Sequence, residues 1–200
     1  MARLMRFWWV AAAALMFLFI MQASNTIPAL DKEVAVSWND MEAQYKQRND
    51  LIPDLLTAVR LHAAYEKGAL SEVAQARDEA MQTSLTNDML TDTEAVKNFQ
   101  QVQAGLGASL ERLMGLADKY PALKADQSFL GAQAQIVANA QRIAMARRIY
   151  VSVFQDYNLH LRTFPGFIWA MIYHSKPKAE FRGKDDTDKP PEINYGGAQE

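Results

Sequence analysis

Between Phe129 and Phe164 the apolar and packing positions recur at alternating steps of three and four: Phe129, Gln133, Ile136, Ala140, Ile143, Arg147, Tyr150, Phe154, Tyr157, Leu161 and Phe164. Such steps bring side chains onto one face of an α-helix, whereas a strand needs steps of two. The same rhythm runs from Val34 through Trp38, Met41, Tyr45, Arg48, Ile52, Leu55, Val59, His62, Glu66 and Ala69 to Val73. It returns with Val96, Phe99, Leu106, Leu110, Leu113, Ala117 and Tyr120. The predicted fold is all-α, with residues 31–173 forming an antiparallel up-and-down bundle of three long helices. Pro165 and Gly166 end the third helix, and the apolar segment from Phe167 to Tyr173 adds a short C-terminal helix.

The stretch QRNDLIPDLLTAVRLHAAYE, from Gln47 to Glu66, holds a proline inside the first stripe. The helical phase is not interrupted at Pro53, which predicts a kinked helix rather than a turn. Proline removes one intrahelical hydrogen bond, so the carbonyl of Asn49 loses its partner. Asn49, Asp50 and Asp54 supply polar groups around the kink. Further on, Ser84–Asp92 breaks the helix, and Thr91 and Glu94 stand at capping-box spacing. Gly105 and Gly107 allow close helix approach, and Pro121 stops the second helix. Arg48 and Arg147 interrupt two apolar stripes. Either their stems pack while their heads reach water, or they form a polar layer that fixes helix register.

The N-terminus carries a different signal. Phe7–Met21, FWWVAAAALMFLFIM, has no charge. Fifteen helical residues span only ~22 Å of a ~30 Å hydrocarbon core. Leu4, Met5, Gln22 and Ala23 extend the run if Arg6 snorkels, and Trp8 and Trp9 suit the membrane interface. The expected organisation is a membrane anchor over residues 1–24, a joint at 25–30, the bundle at 31–173 and a flexible polar tail at 174–200. A signal peptide cut after Ala23 is the alternative, with Met21 poorly suited to the cleavage motif. Arg3, Arg6 and the free amine precede the run, and only Lys32 follows it closely. That bias favours a cytoplasmic N-terminus and an exported domain.

Chemistry finds little support. The chain has no cysteine, which removes disulfides, thiolate catalysis and cysteine-ligated zinc. With 21 basic and 23 acidic residues it presents no block of positive charge, and nucleic acid is not an expected partner. His62, His160 and His174 are scattered, and none has a glutamate three residues earlier, as di-iron bundles require. No His-Glu-x-x-His and no Gly-x-Ser-x-Gly occurs, and Gly105-Leu106-Gly107 lacks the rest of a phosphate loop. No catalytic, metal or cofactor residues are assigned.

The blocks QRNDLIPDLL, YPALKADQSFLGAQAQI, QRIAMARRIY and DYNLHLRTFPG, in this order, resemble the signature of the LemA family of bacterial membrane proteins. The late KPKAEF and PPEINY resemble its tail. The resemblance implies an N-terminal membrane segment, an up-and-down bundle sometimes classed with four-helix bundles, and no established enzyme activity. It implies envelope-protein neighbours and membrane-organising relatives, and an outward-facing N-terminus, which opposes the charge bias. Gln47, Asp54 and Ala140 depart from the pattern, where a basic residue, asparagine and glutamate are usual.

The expectation is a non-enzymatic single-pass protein of the bacterial inner membrane, scaffolding other envelope proteins, with its domain in the periplasm. A membrane-shaping protein using Phe167, Ile168, Trp169, Met171 and Ile172 is the second reading, and an enzyme with an unrecognised site a remote third. A homo-oligomer stays open. The interaction candidates are Arg48, Asp50, Pro53, Asp54, Arg147, Tyr157, Asn158, Arg162 and Phe164, with Trp8 and Trp9 at the membrane interface. If the first helix runs ~80 Å outward before the chain turns, the segment from Phe167 to Tyr173 packs on the bundle far from lipid.

Overall fold

The structure, a computed structural model, describes residues 2–63 and 66–181, with side chains at Met16 and over residues 24–63 and 66–181. The elements are α1 (Ala2–His62), α2 (Lys67–Gln82), α3 (Thr93–Gly115), the single turn α4 (Pro121–Lys124), α5 (Gln127–His160) and the short α6 (Gly166–Ile172). Turns of 3-10 helix stand at Asn87–Thr91 and Leu116–Asp118. Among the described residues there is no strand.

Side-chain pairs set the directions. His62 meets Asp126 at the head of α5, and Trp38 packs on Tyr150 further along it, so α1 and α5 are antiparallel. Arg77 of α2 reaches back to Asn49 of α1. Glu72 pairs with Arg112, and Tyr120 donates to Glu66, which sets α3 antiparallel to α2. The bundle therefore has four long legs running up, down, up and down, in place of the three expected.

The fourth leg arises because the first stripe is two helices. α1 passes through Pro53 without a break, as its unbroken phase predicts. The chain reverses after His62 instead, and α2 begins at Lys67. The stripe keeps its phase across this reversal, yet its members there, His62 and Glu66, stay out of the core while Ala63 is buried. Two successive polar residues at core positions were the only trace of the turn.

Other boundaries also move. No joint forms at 25–30: α1 continues through Pro28, because Ile27 and Val34 on either side are both held in the core. The cap of α3 is Asp92, whose carboxylate accepts from the amides of Glu94 and Ala95 at 2.9 and 3.3 Å. Thr91 turns its hydroxyl to the Asp88 carbonyl instead. α5 ends at His160, short of Pro165. The chain beyond His174 is packed through Phe181, so the tail does not start at 174; residues beyond Phe181 lie outside those described.

The core divides into two apolar clusters along the bundle. The distal one joins Ile52, Leu55 and Val59 of α1 with Leu70 and Val73 of α2, Leu106 to Leu113 of α3 and Phe129 to Ile136 of α5. The proximal one joins Ile27 to Tyr45 with Val96, Phe99, Ile143, Tyr150, Phe154 and the late residues Ala179 and Phe181. Continuing the register set by His62 with Asp126 and Trp38 with Tyr150 brings the end of α5 level with Ile27 and Leu30. The segment Phe167–Tyr173 accordingly sits at the N-terminal end of the bundle, and the outward placement derived from three helices is overturned. It does pack on the bundle in part: α6 lies against α1, and Trp169 and Ala170 join the proximal cluster.

Among the described residues no helix is long and apolar enough to cross a membrane. The expected anchor, with Trp8 and Trp9, falls on side chains outside those described.

Candidate functional site

Helix α1 leaves its apolar sequence after Tyr45 and regains it at Ile52, while α3 does so between Phe99 and Leu106 and α5 between Ile136 and Ile143. These three gaps face one another. Arg48, Asn49, Gln103 and Asn139 fill them as a buried polar layer between the two apolar clusters.

Pro53 creates one acceptor of this layer. It has no amide to give the Asn49 carbonyl. The Nε of Arg77, from α2, donates to that carbonyl at 2.9 Å. A backbone defect in α1 thus becomes the attachment point of the second leg. One turn on, the Thr57 hydroxyl donates to the Pro53 carbonyl at 2.8 Å.

Arg48 crosses to α3, its Nη2 donating to the Gln103 side chain at 2.5 Å and to the Gln103 carbonyl at 3.2 Å. Its guanidinium lies 5.4 Å from the Tyr45 ring centre. The Tyr45 hydroxyl accepts from Nη2 of Arg147 at 3.2 Å, and Asn139 donates to the Gln44 carbonyl at 3.2 Å. Burial lowers the Arg48 pKa to about 10, with Tyr45 opposing the shift and Arg147 adding to it. Keeping the charge there costs on the order of 3 kcal/mol. Of the two readings of these arginines, Arg48 follows the buried one, and Arg147 is half-buried beside the Phe181 ring.

The layer contains no buried carboxylate among the described residues. The Gln44, Asn49 and Asn139 side-chain oxygens, the Gln100 amide nitrogen and both arginine Nε atoms lack a hydrogen-bond partner there. An acid–base pair is not what such a layer offers. A polar layer drawn from all four legs instead penalises any slip of one helix against another, because slipping would set these groups against apolar neighbours.

A second polar set holds the C-terminal segment. Asn158 donates to the Lys178 carbonyl at 3.0 Å and accepts from the Lys178 amide at 2.9 Å, a two-bond clamp. The Tyr157 hydroxyl donates to the Lys176 carbonyl at 3.2 Å, and the Lys178 ammonium meets Asp31 at 2.8 Å. Ala179 donates to the Leu90 carbonyl at 2.7 Å. The segment ends with Phe181 edge-on to Trp38 and Tyr150.

The sequence candidates thus divide. Arg48, Pro53 and Arg147 belong to the polar layer, and Tyr157 and Asn158 to the clamp. Asp50 and Asp54 are exposed on α1, Asp54 on the rim of an open groove of about 430 Å³ between α1 and α5. Arg162 and Phe164 are exposed in the turn before α6. Gly107 faces Arg48, while Gly105 approaches nothing. Sequence reasoning missed Arg77, Gln103 and Asn139. Gln103 and Asn139 carried a signal, as amides one helical turn from large apolar residues on both sides; Arg77 carried none. Among the described residues no group of three or more histidine, aspartate or glutamate side chains is placed to hold a metal ion.

These features define a class: an up-and-down four-helix bundle, divided by a polar layer, whose first helix extends well beyond the core. The chain belongs to the LemA family, whose model matches residues 37–195. It is also similar to the magnetosome proteins MamQ 1 and MamQ 2 of Paramagnetospirillum magneticum and MamQ of Magnetospirillum gryphiswaldense. Each is 22% identical over 182 residues, covering 83% of this chain and 67% of the relative.

Proposed function

We propose that the protein is a non-enzymatic, membrane-anchored scaffold, its bundle displayed to other envelope proteins. The observation that carries this is the continuity of α1. One helix of 61 residues holds both the apolar run Phe7–Met21 and the first leg of the bundle. Such a helix sets the bundle at a defined attitude to the bilayer, without a swivel between the two. The likeness to magnetosome proteins supports a membrane-associated, non-enzymatic role. Exposed apolar residues spaced along the legs, such as Leu61, Met145 and Ile149, offer contact points for partner proteins.

In-cell photocrosslinking from Leu61 and Met145 tests the scaffold reading. Discrete adducts with envelope proteins are expected, from positions on the bundle surface. Adducts with a second copy of the chain alone would make it a self-assembling protein instead. Extraction of the full chain by alkaline carbonate would remove the anchor.

A further inference from the structure

Helix α6 turns an apolar face outward. Phe164, Phe167, Ile168, Met171, Ile172 and Tyr173 are all exposed, Phe164 and Met171 by 73% each. The opposite side of the helix is committed, since Trp169 and Ala170 pack against the proximal cluster. Gly166 fixes the approach: a Cβ there would sit 2.0 Å from the His160 carbonyl oxygen, so α6 begins directly on the last turn of α5.

The place of this face in the bundle identifies its occupant. α5 ends level with Ile27 and Leu30 of α1, and Lys178 binds Asp31 at the same end. Met21, where the apolar run stops, lies six residues before Ile27, or ~9 Å along the helix. A headgroup layer is ~5–8 Å deep on each side of the hydrocarbon. If the run spans a bilayer, α6 therefore lies beside the interface. Charge agrees with that placement. From Asn158 to Ala179 the chain has no acidic residue, and Arg162 and Lys176 are exposed there. Asp31, the acid packed against this stretch, is engaged by Lys178. Four of these side chains stand on the seven-residue helix, with Phe164 before it and Tyr173 after it. They suit the shallow burial of an interfacial helix.

We propose that the exposed face of α6 lies in the interface of an anionic bilayer, making a second membrane contact that fixes the bundle end against the lipid surface. This inference rests on the anchor reading. It assigns Phe167, Ile168, Met171 and Ile172 to lipid and Arg162 and Lys176 to headgroup phosphates.

The chain has no native cysteine, so single labels are unambiguous. The full chain is prepared as Met171→Cys, Leu130→Cys and Ala13→Cys, each carrying an environment-sensitive fluorophore. Met171 and Leu130 are both exposed, at opposite ends of the bundle, so neither substitution disturbs the core. Each is reconstituted in phosphatidylcholine–phosphatidylglycerol vesicles with brominated acyl chains. Quenching is expected at residues 13 and 171 and not at 130. Arg162→Glu with Lys176→Glu is expected to reduce quenching at 171 and leave 13 unchanged. Quenching at 13 but not at 171 would overturn the lipid contact, leave the anchor standing and assign the face to a protein partner. Quenching at neither would remove the anchor, and this inference with it. Equal quenching at 130 and 171 would mean that the whole bundle lies on lipid, which also refutes a contact confined to α6.

Discussion

Arg77 and Pro53 form the most informative pair of residues, because each makes sense only through the other. The Arg77 side chain supplies the hydrogen bond that Pro53 withholds from the Asn49 carbonyl. Arg77→Met is expected to destabilise the bundle by about 1–3 kcal/mol. In a Pro53→Ala background the new amide serves that carbonyl, so the same substitution should cost far less. A denaturant double-mutant cycle reads the coupling, and additive single effects would refute it. Arg48 gives a parallel test. Arg48→Met removes a desolvated charge but leaves the Gln103 oxygen buried and unpaired, with an expected loss of about 1–3 kcal/mol. Adding Gln103→Leu should recover most of it, because both polar partners are then gone. At the head of α5, the backbone amide of Phe129 and then His62 hold the Asp126 carboxyl below its ordinary pKa. A depressed carboxylate stabilises the fold above its unfolded pKa, and that contribution fades as the pH drops through the folded value. Asp126→Asn should therefore melt below the wild type at neutral pH, with the gap closing in acid.

At the scale of elements, helix ends are decided by capping and by what the ends pack against. Asp92 satisfies two amides at the start of α3, so Asp92→Ala should cost about 1 kcal/mol, while Thr91→Ala should cost much less. Thermal melts of the two variants distinguish the observed cap from the capping box that the sequence spacing predicts. The break between α1 and α2 shows the opposite case. No proline marks it, and the stripe continues in phase across it. What ends α1 is the return of α2 along its own flank, with Arg77 and the distal apolar cluster holding the two legs together. Pro28 and Pro53, the residues best known for ending helices, both lie inside α1, because packing on either side outweighs the single bond each removes.

For the whole molecule, the central quantity is which end of the bundle faces the apolar run. Four legs bring α6 and the clamped segment to that end, whereas three would have placed them at the far one. The side of the membrane is a separate matter, set by flanking charge. Arg3 and Arg6 precede the run, and Asp31 and Glu33 surround Lys32 after it. Basic flanks resist translocation, so the bundle is expected outside the cytoplasm. A C-terminal alkaline phosphatase fusion should be active and a C-terminal green fluorescent fusion dark, and the reverse pair would put the bundle in the cytoplasm. From the sequence alone, the helical class, most of the core faces of the legs, the passage of α1 through Pro53 and the family were legible, because each is written in local periodicity or in contiguous blocks; His62, Ala140 and Phe164, which the stripes place on core faces, are exposed. The number of legs, the donor to the Asn49 carbonyl, the partners that Arg48 meets in the polar layer and the burial of Phe181 were not. Each depends on residues far apart in the chain meeting across the bundle. A three-four stripe records which side of a helix is buried and carries no information about what buries it.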